Sequence, residues 1–295
     1  MTDRLCRGLL PSRGLRAVFV RVADTARMAR VLHGLYPTAA WLFAEALAAG
    51  ALLGALQKEK GRVNLQLECD GPLGGLFVDA DPDGNLRGYV RHPAVHFPGD
   101  PRHGARAALG GRGFLSVLRD PGGGQYYRGS VQLEALDLAE DLRRWFAASE
   151  QVATALDLAV VPRGDEPLGD AAGILVQRLP DGDAEALEAA RRRLADGALP
   201  RALAAGASAQ EAIRAVVGDG FDVLADSEVA WRCGCSHERA RAAVSALGAD
   251  GISEVLAKER EAVVTCEFCR SRYVVAEPEL LEIRRRLEER ERAGR

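Results

Sequence analysis

Along the first two thirds of the chain, hydrophobic and polar positions repeat with two different periods. Arg16 to Val22 is rich in β-formers. Val63, Leu65, Leu67 and Cys69 alternate with Asn64, Gln66 and Glu68, the period of a strand with one buried face. Cys69 falls on that apolar face and reads as a small buried hydrophobe. Leu76–Ala80 and Leu86–Arg91 flank Asp81-Pro-Asp-Gly-Asn85. Gly113–Arg119 and Gln125–Leu133 flank Asp120-Pro-Gly-Gly-Gly124. Both intervening segments are turn sequences, so each predicts an antiparallel hairpin. Strand-like runs return at Val152–Val161 and Ala171–Leu179.

Helical spacing joins Ala26, Met28, Val31, Leu32 and Leu35, with Asp24 or Thr25 as the expected N-cap. Pro37 is expected to end that helix, and Thr38 to cap the next. Ala39 to Gln57 is about long enough to span a bilayer. Its one charge, Glu45, would be expensive in lipid, and the segment is Ala-rich rather than Leu-rich. It reads as a buried helix of a soluble protein, packed closely through Gly50 and Gly54. Leu138, Leu142, Trp145 and Phe146 mark one face of a further helix. The fold class that follows is α+β, a mostly antiparallel sheet with packed helices.

Near Pro180 the pattern changes. Asp183 to Val217 is rich in Ala, Arg and Glu, with breaks at Gly197, Pro200 and Gly206. It predicts two or three short helices with little core of their own, hence only marginal stability apart from their neighbours. A β-rich stretch, Phe221–Trp231, leads to a cysteine cluster. A final helix over Pro278–Arg292 would turn Leu280, Leu281, Ile283 and Leu287 inward. The resulting division is 1–180, 181–231 and 232–295: an α+β domain, a helical linker and a small metal-binding domain.

The chain has 295 residues, 47% of them hydrophobic and 27% charged, with a formal net charge of -3. That composition excludes disordered and collagen-like classes. A net charge so near zero gives no general field for nucleic acid or an anionic membrane. Positive charge is almost all Arg, Lys occurring only at Lys58, Lys60 and Lys258. After Met1 comes a short basic patch but no apolar run of signal-peptide length, so a cytoplasmic location is expected.

Four of the six cysteines, Cys233, Cys235, Cys266 and Cys269, form two close pairs; Cys6 and Cys69 stand alone. In a reducing compartment, paired cysteines at such spacing point to tetrahedral Zn²⁺ in a Cys₄ site. His237, close by, reads as a surface or capping residue. Such a site could simply staple a small domain. The first pair is C-x-C rather than the usual C-x-x-C, however, and the segment before it looks weakly stable. Zinc keeps sulfur as thiolate, the form that oxidants attack, and oxidation would release the ion.

Trp231-Arg-Cys233-Gly-Cys235-Ser-His-Glu-Arg239 and Val264-Thr-Cys266-Glu-Phe-Cys269 resemble the heat-shock protein 33 family of redox-regulated holdase chaperones. So do Cys69-Asp-Gly-Pro-Leu-Gly-Gly75, Gly84-Asn-Leu-Arg-Gly-Tyr-Val90, Tyr127-Arg-Gly129, Ala139-Glu-Asp-Leu142, Phe146-Ala-Ala-Ser-Glu-Gln151 and Ala171-Ala-Gly-Ile-Leu-Val-Gln177. The similarity runs from about Arg16 to about Leu281. It implies a non-enzymatic, ATP-independent chaperone that binds unfolded client proteins under oxidative stress. It implies zinc on the four cysteines, and disulfides Cys233–Cys235 and Cys266–Cys269 once oxidised. It further implies release of zinc, unfolding of the switch and linker, and a possible homodimer of the oxidised form. Two positions depart from the family: Arg270 stands where Gly is usual, and Lys258-Glu-Arg-Glu261 replaces a more acidic stretch. Both bear on zinc affinity and oxidation threshold.

Two other functions fit parts of the sequence. A zinc-ribbon nucleic-acid binder would use Arg232, Arg239, Arg241, Arg270 and Arg272 with Phe268 and Tyr273, but six nearby acids offset them. A thiol oxidoreductase would want its C-x-x-C at a helix start after a strand, which the pattern does not offer. No phosphate-binding loop or nucleophile motif is present. His92, His96 and His103, with Asp100, read as solvated loop residues.

Overall fold

In the computed structural model, residues 2–58 and 61–293 are described; Met1 and Lys60 lie outside them. The chain forms two compact units, Met1–Arg232 and Cys233–Arg295.

The first unit holds two sheets. One has five strands: β1 (Arg4–Leu10), β2 (Leu15–Arg21), β8 (Thr154–Arg163), β9 (Glu166–Arg178) and β10 (Asp222–Glu228), in the order β10-β1-β2-β9-β8. All of its pairings are antiparallel. The other is built from β3 (Arg62–Cys69), β4 (Gly75–Ala80), β5 (Asn85–Val90), β6 (Gly113–Asp120), β7 (Tyr127–Gln132) and β11 (Ala230–Trp231), in the order β11-β5-β4-β3-β6-β7. Both expected hairpins are there. The fold is α+β as expected, but its strands divide between two sheets. The strand β1 shows no clean hydrophobic period.

The Ala-rich helix α2 (Pro37–Ala55) is buried between the sheets, with 94% of its apolar stretch enclosed. The expected close packing is present. A Cβ on Gly50 would come within 2.5 Å of Val78 Cγ1, and one on Gly54 within 2.8 Å of the Asp81 carbonyl. Small residues let the helix approach β4 more closely than any larger side chain would allow. Around it, Leu42, Leu47, Leu52 and Leu53 pack with Val18, Leu65, Val78 and Trp145 in one apolar core.

Helix α1 spans Ala23–His33 and ends at Gly34, which adopts a left-handed φ of 60°. The expected local caps are not used. Asp3 caps α1 instead, accepting from the amides of Asp24 at 3.0 Å and Thr25 at 2.7 Å. Pro37 opens α2 rather than closing α1, and the Thr38 hydroxyl accepts from the Phe97 amide. Met28 and Val31 face solvent. The histidine-bearing loop contains an unexpected helix, α3 (Pro101–Leu109), N-capped by the Asp100 carboxylate. His92, His96 and His103 are all exposed. Helix α4 (Leu138–Trp145) buries the predicted face.

Three helices, α5 (Ala184–Ala195), α6 (Ala198–Ala204) and α7 (Ala209–Val217), cover the far face of the five-stranded sheet. Leu187, Leu194, Leu199, Leu203, Ile213 and Val216 are their buried side chains. They rest on Cys6, Leu15, Phe19, Ile174 and Val176. The helices thus borrow a core from the sheet rather than owning one. Arg21 ties their loop down, donating to Asp170 at 3.0 Å and to the Ala207 carbonyl at 2.8 Å. The chain then runs along the sheet edge as β10 and crosses to the other sheet as β11, which pairs parallel with β5. There Trp231 meets His33 and Phe43 edge-on, at ring-centre distances of 5.8 and 6.5 Å.

The second unit contains α8 (His237–Ser245), α9 (Gly248–Lys258), the hairpin β12 (Glu261–Thr265) and β13 (Arg272–Ala276), and α10 (Glu277–Ala293). Its buried core is Val244, Ile252, Val275, Leu280 and Ile283. Leu281, expected on the inner stripe, is 42% exposed.

Candidate metal centre

A cluster of five buried apolar side chains is little to hold a unit of this size, and small domains of that kind are ordinarily stapled by disulfides or a metal. The four clustered cysteines stand where a staple would. Cys233 and Cys235 precede α8, whose N-cap is the Ser236 hydroxyl. Cys266 and Cys269 occupy the turn between β12 and β13. That turn is closed by the Cys266 amide donating to the Ser271 carbonyl at 2.9 Å and the Arg270 amide donating to the Cys266 carbonyl at 2.8 Å. Arg270 adopts φ 56°, the left-handed conformation that favours Gly.

All four Sγ atoms lie within 4.8 Å of one another. Cys233 Sγ is 3.7 Å from Cys266 Sγ, and Cys235 Sγ is 3.1 Å from Cys269 Sγ. Four sulfurs bonded at about 2.3 Å to a tetrahedral ion would be about 3.8 Å apart, so the donor set fits such an ion with little movement. Among the described residues no other group of His, Cys, Asp or Glu is placed to hold a metal. His237 stands aside at the start of α8, its Nε2 2.8 Å from Glu279 Oε1.

Several groups around the sulfurs carry no signal in the sequence. The Tyr273 hydroxyl is 3.0 Å from Cys235 Sγ, and the Ser271 hydroxyl 3.2 Å from Cys269 Sγ. In the sequence Tyr273 reads only as an aromatic interleaved with arginines. Its role follows from hairpin register, which pairs it with Val264 and aims it back at the turn.

The thiols do not titrate alike. Tyr273 pulls the Cys235 pKa down, but burial and the three neighbouring thiols outweigh it and push the value up to about 12. Burial raises Cys266 as well, against the amides of Cys269 and Phe268. Burial also opposes ionisation of Cys269, yet Ser271 and Cys235 donate to its sulfur and bring it down to about 6. The protein alone therefore favours the thiolate at Cys269 and the thiol at Cys235 and Cys266. Four thiolates together repel, and a divalent cation is the simplest way to hold them charged. Cys6 and Cys69 lie outside the cluster. Cys6 is fully buried under α5–α7 with its pKa pushed up to about 11, first by burial. Cys69 is half-buried and also raised, first by burial.

Comparison with known proteins agrees with this architecture. The profile of the family described as Hsp33 protein matches residues 3–276. A 33 kDa chaperonin of Geobacter sulfurreducens is 36% identical over 288 residues, covering 96% of this chain and 95% of its own. One of Synechococcus elongatus is 35% identical over 294 residues, covering 96% and 97%. The crystal structure of the 33 kDa chaperonin (heat shock protein 33 homolog) of Thermotoga maritima superposes with a TM-score of 0.86 at 28% identity, covering 97% and 98%. With its two-sheet unit, its covering helices and its four-cysteine centre, the chain belongs to the Hsp33 family of chaperones.

Proposed function

We propose that this chain is an ATP-independent cytoplasmic holdase, switched on when its four clustered cysteines are oxidised. The observation that carries this reading is the course of the chain between the sheet and the cysteines. Residues 184–231 cover one face and one edge of the five-stranded sheet, and Cys233 follows two residues after their last anchor, Trp231. In functional terms 1–180 would bind clients, 181–231 would act as cover, and 232–295 as switch.

In the reduced state Cys233, Cys235, Cys266 and Cys269 would hold Zn²⁺, which supplies positive charge to keep all four sulfurs as thiolates. Peroxide then takes two electrons from each pair of thiolates. One S–S bond forms per pair, and each peroxide takes up two protons and leaves as two waters. Sulfur proximity permits more than one pairing; family resemblance favours Cys233–Cys235 and Cys266–Cys269. Once the sulfurs are spent as disulfides, the second unit would keep only its small apolar core, and the chain leading into it, with Trp231 and the cover, would be free to leave the sheet. The uncovered face presents Leu15, Phe19, Ile174 and Val176 to unfolding proteins, each Å² of apolar burial being worth about 25 cal/mol. The oxidised form would also be free to pair with a second copy.

Two features weigh against the other functions. The C-x-x-C lies in a β-turn rather than at a helix start, so it lacks the dipole that drives thiol turnover. Two arginines of the second unit are spent on carboxylates, Arg241 on Glu279 and Glu282 and Arg270 on Glu267, which reduces the basic surface offered to nucleic acid.

The test is intact mass with a zinc assay before and after peroxide, beside an aggregation assay with a thermally unfolding protein. One zinc per reduced chain, a loss of four mass units with release of the zinc, and suppression of aggregation without ATP are expected. Substoichiometric zinc that reconstitution cannot restore, or suppression that requires ATP, would overturn the reading.

A further inference from the structure

The proposed release also strips an edge from the five-stranded sheet, and β10, the strand that now occupies it, is a poor fit for its place. Asp222, Val223, Leu224, Asp226 and Glu228 are exposed, and no residue of β10 is buried. On the inner side of the same ladder, Leu5, Cys6, Gly8 and Leu10 of β1 are all buried. Between its buried flanks Phe221 and Val229, β10 itself is held by its main chain, paired from Arg4↔Glu228 to Leu9↔Asp222, helped by a half-exposed ion pair between Arg4 and Asp226 at 2.8 Å. An exposed ion pair of this kind contributes under about 1 kcal/mol.

We propose that the vacated edge of β1 binds an extended segment of the client polypeptide, which adds to the sheet as an antiparallel strand in place of β10. The inference rests on the redox-released cover proposed above and assigns the site and mode of client capture.

Three observations point to that occupant. First, the site selects through backbone groups. The Asp3 carbonyl accepts from the Val229 amide at 3.2 Å, and strand alternation turns alternate peptide groups of β1 the same way. A bare edge is a row of unpaired donors and acceptors that any extended chain can satisfy, which suits a protein that must accept many sequences. Second, the opposite edge is obstructed. On β8 the carbonyls of Thr154 and Leu156 accept from the guanidinium groups of Arg191 and Arg143. Arg191 belongs to the cover, but Arg143 belongs to α4 and stays. Third, Asp226 sits opposite Cys6, on the face that α5–α7 would leave. An apolar client residue at that place would lie against Cys6 and Phe19, whereas aspartate gains nothing from them. β10 therefore keeps the edge closed weakly and can be displaced. With Asp226 gone, Arg4 and Arg7 flank the edge, so the occupant is an extended segment that alternates apolar residues and carries neutral or acidic, not basic, polar ones.

The experiment is hydrogen exchange on the full-length protein in three states: reduced with zinc, peroxide-oxidised, and oxidised with carboxymethylated α-lactalbumin, a permanently unfolded chain. Amides of residues 4–10 that face β10 should be protected when reduced and exchange at least about tenfold faster when oxidised, as expected when a ladder is opened. With the unfolded chain added they should regain most of that protection. Asp226→Val, which improves β10 as an occupant, should release zinc at the same peroxide concentration as wild type yet bind the unfolded chain at least about threefold more weakly. Binding that leaves these amides as fast as in the client-free oxidised protein overturns the inference alone. So does wild-type binding by Asp226→Val. Absence of any binding by the oxidised wild type overturns both this inference and the redox-switch reading.

Discussion

Arg270 donates its amide to the Cys266 carbonyl at 2.8 Å while its own backbone stands at φ 56°. The turn that presents Cys266 and Cys269 thus needs a left-handed residue at the position after the second sulfur, and the chain fills it with arginine. A side chain there costs about 1–2 kcal/mol, and the Arg270–Glu267 ion pair at 2.8 Å is too exposed to offset that. The strain is present only while the turn is formed. Arg270→Gly should therefore tighten metal binding by roughly tenfold, about 1.4 kcal/mol being a factor of ten. Zinc release should then need more peroxide, which a colorimetric chelator can follow. Release at equal or lower peroxide would show that the strain is relieved elsewhere.

Glu45 offers a test in the first unit, far along the chain from the sulfurs. Burial, with Asp137 and then Asp157 adding repulsion, raises its pKa to about 8 even though the Trp41 indole donates to it at 3.0 Å. Below its unfolded value Glu45 is neutral in both states and costs nothing. As pH climbs toward 8 the unfolded chain ionises it while the native protein keeps it protonated. Native stability is then lost at up to about 1.4 kcal/mol per pH unit. Glu45→Gln removes that dependence and keeps an acceptor for Trp41. The variant should gain thermal stability over wild type steadily between pH 5 and pH 8. Parallel melting curves across that range would mean Glu45 is ionised in the native protein.

Alternation and turn chemistry were sufficient to read β3, β4 and β5, which bury one face each, and β6 and β7, which a tight turn joins into a hairpin. What they could not show was how distant segments meet. The cap of α1 comes from Asp3, some twenty residues away, because the Asp24 and Thr25 amides point at β1's approach rather than at local oxygens. The role of β10 depends on its partner β1, whose mixed sequence Arg-Leu-Cys-Arg-Gly-Leu-Leu shows no clean period. The same holds at the sulfurs. Their number and spacing were visible, since ligands must be cysteines, but Tyr273 and Ser271 reach them only through the fold of a hairpin.

Cys6 can report on the cover directly. Its thiol is fully buried among Phe19, Leu199 and Ile213, under helices that have no other core. In the reduced, metal-loaded protein it should resist alkylation; after peroxide it should react at a rate close to that of an unfolded control. Ile213→Ala removes a fully buried side chain from the covering layer, a loss of about 2–5 kcal/mol. That variant should label at Cys6 even while reduced and metal-loaded. Peptide mapping of the label separates Cys6 from Cys69. A Cys6 that stays unreactive after complete oxidation would mean the cover remains in place.

Tyr273 should set the threshold in the opposite sense to Arg270. Its hydroxyl lies 3.0 Å from Cys235 Sγ, and contact with the thiol pushes the phenol's own pKa up to about 12. Such a hydroxyl remains a donor at any physiological pH. A donor to a thiolate withdraws charge from the sulfur, which stabilises it and makes it a poorer nucleophile toward peroxide. A hydrogen bond to a charged group contributes about 1.5–3 kcal/mol, of which the oxidant must overcome part when the sulfur attacks. Tyr273→Phe deletes the hydroxyl and keeps the ring, which packs tilted against His237 at 6.4 Å. The variant should fold and bind metal, then lose it to peroxide severalfold faster than wild type, in proportion to that partial loss. Adding Arg270→Gly to Tyr273→Phe should restore a rate near wild type, because one change relaxes the turn while the other bares the sulfur. Stopped-flow zinc release under excess peroxide measures all four proteins on one scale. A Tyr273→Phe rate equal to or below wild type would show that the hydroxyl does not act on Cys235 in the metal-bound state.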